Sequence, residues 1–335
     1  MTSRPIRVAI NGFGRIGRTL LRILLRDARD IELVLINEIE PLATCAYLFQ
    51  YDSVFGPWPG EVSAGEGVLH VDGRAIPFHA QSDLSALDLG GVDVVLECTG
   101  MGGARAMAER GLAAGAGAVL VSGPSAEADV TLVMGANEGD LGDQRIISNA
   151  SCTTNALAPL VRLLDDAFGV ESGQMTTVHC YTGSQPTVDK PRDAPERSRA
   201  AALSMVPTTT SAQHQTGLVL PHMKGRIEAR AIRVPTASVS CLDLTVQTRA
   251  PVSEDAVNAV LKAAAGSSPV FGWTTQPLVS ADLRARPESV IMSGLETSVS
   301  NGGLLRVFGW YDNEWGFSCR MLDMARLIGA RRGQG

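Results

Sequence analysis

The sequence predicts an α/β domain on a parallel, doubly wound sheet, followed by an α+β domain with a largely antiparallel sheet. Three observations carry this reading. Short apolar runs of strand length recur at 6–10, 31–37, 92–99, 118–122 and 131–134, with helical patterns between them. Strands that are apolar throughout belong to a parallel sheet covered on both faces. In the later region the pattern changes to broad alternating strands at 226–248 and 276–311, with one helix at 253–265 to cover a face. The 335 residues give room for two domains.

The first strand, 6–10, runs into Asn11-Gly12-Phe13-Gly14-Arg15-Ile16-Gly17-Arg18, then into a helical run through Leu20, Leu21, Ile23, Leu24 and Leu25. Gly12, Gly14 and Gly17 thus form GxGxxG after a strand and at the opening of a helix, the context that gives the motif meaning. Gly12 permits the tight turn, Gly14 lets a pyrophosphate approach the backbone, and Gly17 lets the helix pack on the strand. The arrangement is Rossmann-like. The next strand ends at Glu38, 21 residues after Gly17. An acidic side chain there accepts from the ribose 2′-hydroxyl of NAD and repels a 2′-phosphate, so NAD is expected over NADP. Segment 50–80 is rich in Gly, Pro and single hydrophobics and reads as an irregular or antiparallel insertion, with Trp58, His70 and His79 structural. The strands around Thr99 and Ser122, with a helix at 104–114 between them, end at the sheet edge where ligands of such sheets collect.

A β-like run at 145–147 then enters Ser148-Asn149-Ala150-Ser151-Cys152-Thr153-Thr154-Asn155. Leu157, Leu160, Val161, Leu164 and Phe168 share one face of a 3.6-residue period, so a helix leaves this stretch. Hydroxyl and amide residues favour an N-cap, where unpaired N–H groups and the helix dipole stabilise an anion. Cys152 so placed has its reactive thiolate favoured; the plainer alternative is a small buried apolar cysteine. The strand at 174–182 carries His179, 27 residues after Cys152. That topology can return the imidazole to the helix N-terminus, where it would lower the thiol pKa and move protons. His214 and His222 read as loop residues. The segment 183–205 holds Pro186, Pro191 and Pro195, and loops of this length are often functional. Arg197 and Arg199 near its end, the run Pro207-Thr208-Thr209-Thr210-Ser211 and Arg233 supply donors suited to phosphate. A final amphipathic helix spans 317–331.

Composition excludes several classes. Net charge is −6, so bulk charge predicts no nucleic-acid binding. No apolar run is long enough to span a membrane, and the N-terminal stretch leads into a strand without the apolar core of a signal peptide. The six cysteines are dispersed with no metal-ligand spacing, so no metal is expected and reduced thiols in the cytoplasm are the default.

The stretches 11–18, 148–155, Thr176-Thr-Val-His179, Arg233-Val-Pro-Thr236 and Trp310-Tyr-Asp-Asn-Glu-Trp-Gly316 resemble, in order and over nearly the whole chain, the glyceraldehyde-3-phosphate dehydrogenase family. The resemblance implies an NAD-binding domain at 1–151, to which the helix 317–331 returns, a catalytic domain at 152–316, and a homotetramer. It makes Cys152 the nucleophile and His179 its activator. It sets Arg15, Ile16, Glu38, Ser122 and Asn313 on cofactor positions, Thr182 and Arg233 at the substrate's phosphate, and Ser151, Thr153, Arg197, Thr210 and Ser211 around inorganic phosphate. The 183–205 segment would line a neighbouring subunit's cofactor pocket. The implied reaction is the NAD-dependent phosphorylating oxidation of a small phosphorylated aldehyde, D-glyceraldehyde 3-phosphate, through a thiohemiacetal and a thioester. The runner-up is non-phosphorylating oxidation of erythrose 4-phosphate, since Glu38 and Phe317 replace the family's usual Asp and Tyr. A non-catalytic NAD-binding protein and a semialdehyde-type acyl-phosphate reductase are weaker readings. Ser211 stands where the family has glycine, and strain in the phosphate site is the expectation, because serine lacks glycine's backbone freedom.

Overall fold

In the computed structural model, which describes residues 4–192 and 194–332, strand and helix alternate from the start. Residues 1–3 of the N-terminal stretch and residue 193 of the 183–205 segment lie outside the described residues. The chain divides into two units. The first contains β1 (Ile6–Asn11), α1 (Arg15–Arg26), β2 (Ile31–Asn37), α2 (Leu42–Gln50), β3 (Val62–Ala64), β4 (Val68–Val71), β5 (Arg74–His79), β6 (Val94–Glu97), α3 (Arg105–Ala113), β7 (Ala118–Val121), β8 (Val130–Thr131) and β9 (Ile146–Ser148).

The strand order is β3-β4-β5-β2-β1-β6-β7-β9-β8. From β5 through β2, β1, β6, β7 and β9 to β8 every pairing is parallel. β6 and β7 are buried at every residue, as continuous apolar runs in a two-face-covered sheet must be. Segment 50–80 does form an antiparallel meander, β3-β4-β5, but β5 also joins β2 in parallel and so extends the main sheet. Three expectations change. The strand expected at 92–99 stops at Glu97, leaving Thr99 in a loop, and the one at 131–134 shrinks to Val130–Thr131. α2 was not anticipated: its buried side is only Cys45, Ala46 and Phe49, while Tyr47 and Leu48 face outward and blur the period.

The second unit contains α4 (Cys152–Phe168), β10 (Val170–Cys180), β11 (Val206–Thr208), α5 (Ala212–Val219), β12 (Ile227–Val234), β13 (Ser240–Thr248), α6 (Glu254–Ser267), β14 (Phe271–Thr274), β15 (Val290–Ser293), β16 (Ser298–Val299) and β17 (Leu304–Tyr311). Its order is β11-β12-β10-β13-β17-β15-β14, with β16 on β17. The pairings are antiparallel except β10 with β12 and β14 with β15. α4 turns Leu157, Leu160, Val161 and Leu164 fully inward and packs on β10, β13 and α5. His214 lies in α5 and not in a loop; the helix is short and its apolar face weak. The stretch 276–289 holds a single helical turn rather than strand.

The last helix, α7 (Trp315–Arg332), belongs to the first unit from Ser318 onward. There Arg326 grips both carboxylate oxygens of Asp30 at 2.6 and 3.0 Å. In the same unit α1 crosses the glycine turn so closely that a Cβ on Gly17 would lie 2.2 Å from the Gly12 carbonyl oxygen. Gly17→Ala is therefore expected to destabilise the protein by about 1–3 kcal/mol, as overpacking does. Urea unfolding checks it, and an unchanged midpoint would show that α1 yields without cost.

Candidate active site

In the first unit, β1 delivers the chain into a turn that leaves room for a ligand on one side only. Gly12 adopts φ +93°, and a Cβ there would stand 2.5 Å from the Thr99 amide nitrogen. Gly14 is the opposite case: nothing lies within 4 Å of its Cβ position, and it caps α1 with no side chain bonded to the helix end. Open backbone at a helix N-terminus fits a pyrophosphate group. Glu38 lies against this turn, accepting from Phe13 N at 2.7 Å and from Glu40 N at 3.2 Å. Carboxylate oxygens accept more than one bond each, so acceptor capacity remains for a ribose hydroxyl.

The other residues predicted here do different work. Phe13 is buried, with ring contacts to Phe49 and Phe78. Arg15 pairs with Asp52 and lies over the Phe55 ring, and Ile16 is half-buried. Beneath the turn is a residue that sequence reasoning missed, Glu97. Its buried carboxylate accepts from Asn11 Nδ2 at 2.5 Å, from Thr99 N at 2.9 Å and from the Thr99 hydroxyl, and its carbonyl accepts from Ser122 N at 2.9 Å. Asn11 in turn accepts from Asn37 Nδ2 at 2.8 Å. Asn11, Thr99 and Ser122 are thus organised around one acid at the end of β6. A charged residue closing an otherwise apolar strand was the available signal.

In the second unit, Ser151 caps α4, its Oγ accepting from Thr154 N at 3.1 Å. Cys152 is therefore the first residue of the helix. Ala150, just before the cap, sits at φ +56°, a left-handed conformation that costs a non-glycine residue free energy and clusters at functional sites. Gln215 of α5 is a second missed residue. Its Oε1 accepts from Ser151 N at 3.1 Å, Thr154 Oγ1 at 2.9 Å and Ser211 Oγ at 3.3 Å, tying the start of α4 to the threonine-serine run. A glutamine four residues after Ser211, on one helix face with it, was the only hint.

β10 brings His179 to the cysteine, with Nε2 3.5 Å from Cys152 Sγ. β12 runs parallel beside β10 and sets Arg233 in register with His179. Arg233 Nη1 lies 2.6 Å from His179 Nδ1 and donates to Cys180 O at 3.1 Å. Nδ1 also lies 2.7 Å from Cys180 O, to which it donates when it carries the proton, leaving Nε2 free to accept from the thiol. Burial, with the Arg233 guanidinium adding to it, pushes the imidazole pKa down to about 3. Burial pushes the Cys152 thiol up, against the pull of Arg233 and of hydrogen bonds from Thr153. Each group resists carrying a charge alone. A proton passing from Sγ to Nε2 leaves the pair's net charge unchanged, so this transfer is the favoured route to a nucleophile. The helix-end thiolate expected from sequence is thus opposed by burial.

The residues read as phosphate ligands fall into small groups. Arg197 donates through Nε to Thr208 Oγ1 at 2.8 Å and through Nη2 to Thr209 Oγ1 at 3.1 Å. Thr210 Oγ1 accepts from Ala212 N at 3.2 Å. Ser211 has φ −70° and ψ −11°, ordinary helical values, so the expected strain from replacing glycine is absent. Thr182 shares a hydrogen bond with Ser184, and Arg199 pairs with Asp189. Thr153 is buried, with its hydroxyl 3.0 Å from Tyr311 OH. Asn313 Oδ1 accepts from the Cys180 thiol at 3.1 Å. Among the described residues, no group of three or more His, Cys, Asp or Glu is placed to hold a metal ion, and no helix is long and apolar enough to cross a membrane.

A glycine turn fitted to a dinucleotide and a cysteine–histidine pair at a helix N-terminus are the parts of a nicotinamide-dependent oxidoreductase that works through sulfur. Comparison with known proteins narrows this. Residues 6–105 match the NAD binding domain of glyceraldehyde 3-phosphate dehydrogenase, and residues 151–313 match its C-terminal domain. The chain is 46% identical to glyceraldehyde-3-phosphate dehydrogenase of Xanthobacter flavus, over 97% of this chain and 98% of the relative. It is 47% identical to that of Pseudomonas aeruginosa, over 98% and 99%. The chain belongs to the glyceraldehyde 3-phosphate dehydrogenase family, and NAD is its cofactor.

The position of Glu38 gives a direct expectation. Glu38→Ala should weaken NAD binding by about tenfold, roughly 1.4 kcal/mol, while NADP binding weakens less or improves. Fluorescence titration of both nucleotides checks this, and equal losses for the two would refute a role for Glu38 in choosing between them.

Proposed function

We propose that this protein oxidises D-glyceraldehyde 3-phosphate with NAD and inorganic phosphate, giving 1,3-bisphosphoglycerate. The observation that carries the reading is the Cys152–His179 contact of 3.5 Å at the start of α4, with Arg233 beside it. Cys152 Sγ forms a bond to the aldehyde carbon while the thiol proton passes through His179 to the carbonyl oxygen, giving a thiohemiacetal. His179 Nε2 then takes the hydroxyl proton as hydride leaves the carbon, producing a thioester. NAD, when bound, supplies the acceptor for that hydride. A phosphate oxygen attacks the thioester carbonyl, the carbon–sulfur bond breaks, and the sulfur leaves to restore Cys152. The first N–H groups of α4 and protonated His179 stabilise the oxyanions on the way.

Arg233 and Thr182 take the substrate's phosphate, where a forked guanidinium and a hydroxyl suit its oxygens. Arg197, Thr210, Ser151 and Ser211 take inorganic phosphate, with Thr153 contributing from the first turn of α4. The glycine turn, Glu38, Thr99 and Ser122 hold the dinucleotide, and Asn313 its nicotinamide amide. We further infer an NAD-binding domain at 1–151 joined by the helix 317–331, a catalytic domain at 152–316, a homotetramer, and a cytoplasmic location. All six cysteines are free, as a reducing compartment requires.

NADH formation from glyceraldehyde 3-phosphate should depend on inorganic phosphate, and Cys152→Ser should lower kcat/KM by roughly 10³-fold or more. Steady-state assays of glyceraldehyde 3-phosphate and erythrose 4-phosphate, each with and without phosphate, check both. Phosphate-independent turnover of the four-carbon sugar in preference to the three-carbon one would overturn the substrate assignment.

A further inference from the structure

The mechanism leaves one buried hydroxyl system without a task. Tyr311, at the end of β17, is 1% exposed, and its hydroxyl lies 3.0 Å from Thr153 Oγ1 and 2.7 Å from Thr177 Oγ1. Thr177, on β10 and fully buried, donates to the carbonyl of Cys241 on β13 at 2.8 Å. At the other end, the Thr153 hydroxyl and backbone N–H both bond to Cys152 Sγ. Three hydroxyls therefore link a backbone carbonyl to the nucleophilic sulfur without a gap.

Each hydroxyl has one proton to give, so the direction of one bond dictates the next. With Thr177 donating to Cys241 O, Tyr311 must donate to Thr177, and Thr153 to Tyr311. The chain then points away from the sulfur, as suits a thiol. With Thr153 donating to the sulfur, Tyr311 donates to Thr153 and Thr177 turns to Tyr311. The chain then points at the sulfur, as suits a thiolate. The change needs three rotations about C–O bonds. No heavy atom moves and no proton leaves its oxygen.

We propose that Thr177, Tyr311 and Thr153 form a reversible hydroxyl chain that stabilises the Cys152 thiolate, with Tyr311 as the positioning residue. The proposal rests on the reading of Cys152 as the nucleophile. It supplies what the site otherwise lacks: the sulfur is enclosed, and hydrogen bonds to an ionised acceptor are the stronger kind. Burial pushes ionisation of Tyr311 far up, so Tyr311 keeps its proton and acts as a relay of dipoles. The titratable and charged groups facing the sulfur are His179 and Cys180 from β10, Arg233 from β12 and Tyr311 from β17.

The test is the pH dependence of iodoacetamide alkylation at Cys152, followed cysteine by cysteine by mass spectrometry in full-length wild type, Tyr311→Phe and Thr177→Val. Tyr311→Phe keeps the ring and breaks the chain. It should raise the alkylation midpoint of Cys152 by about one pH unit, a tenfold loss of thiolate below the midpoint. Thr177→Val cuts the chain one link later and should shift the midpoint in the same direction by less. A purely structural tyrosine would lower the melting temperature and leave the midpoint where it is. Unchanged midpoints in both variants overturn the chain. If Tyr311→Phe does not fold, the midpoint of Thr177→Val decides alone. Wild-type Cys152 reacting no faster than the other five cysteines would sink the nucleophile reading, an outcome distinct from a reactive wild type with unshifted variants.

Discussion

The side-chain oxygen of Gln215 holds the second unit's chemistry in place. Helix ends leave four N–H groups without partners, and at the start of α4 Ser151 Oγ and Gln215 Oε1 take up what the helix cannot satisfy around the cysteine. Because Gln215 also accepts from Ser211, the nucleophile's turn and the hydroxyl-rich start of α5 form one hydrogen-bonded body. Groups that must meet within a few tenths of an ångström are best carried on such rigid elements. Ser211 shows how the local chemistry adjusts. With serine in helical conformation, no glycine is required at that corner, and the hydroxyl gains a partner in Gln215.

The second constraint is the cost of isolated charge. Burial disfavours both imidazolium and thiolate, whereas proton transfer between Cys152 and His179 creates both charges together. The parallel pairing of β10 and β12 adds a fixed positive charge, Arg233, at the far nitrogen of the imidazole. In the first unit, negative charge is used differently. Glu97 under the glycine turn binds neutral donors and fixes Asn11 and Thr99, while Glu38 beside the turn retains capacity for a ligand. One carboxylate shapes the cradle and the other faces what enters it.

Much of this was legible beforehand. The order of strands and helices in the first unit, GxGxxG with its distal acid, and the helix beginning at Cys152 are local patterns, written within a few residues of one another. What escaped had weak local signals. α2 buries three side chains and exposes its aromatic ones, α5 is short, and the 50–80 segment does not announce that its last strand will extend a parallel sheet. Glu97, Gln215 and Tyr311 escaped for another reason: each acts on residues distant in sequence, such as Tyr311 on Thr153, 158 positions earlier.

The sequence by itself determined the class of each unit, the cofactor, and the identity of the nucleophile candidate with its histidine, because turn chemistry, periodicity and motif spacing are short-range properties of the chain. Tertiary structure alone decided that Arg233 stands in register with His179, that Ser211 is unstrained, and that the Thr153 hydroxyl meets Tyr311. These depend on strand register and on which buried donors find acceptors. Both are settled only when segments far apart in the chain pack together and water is excluded.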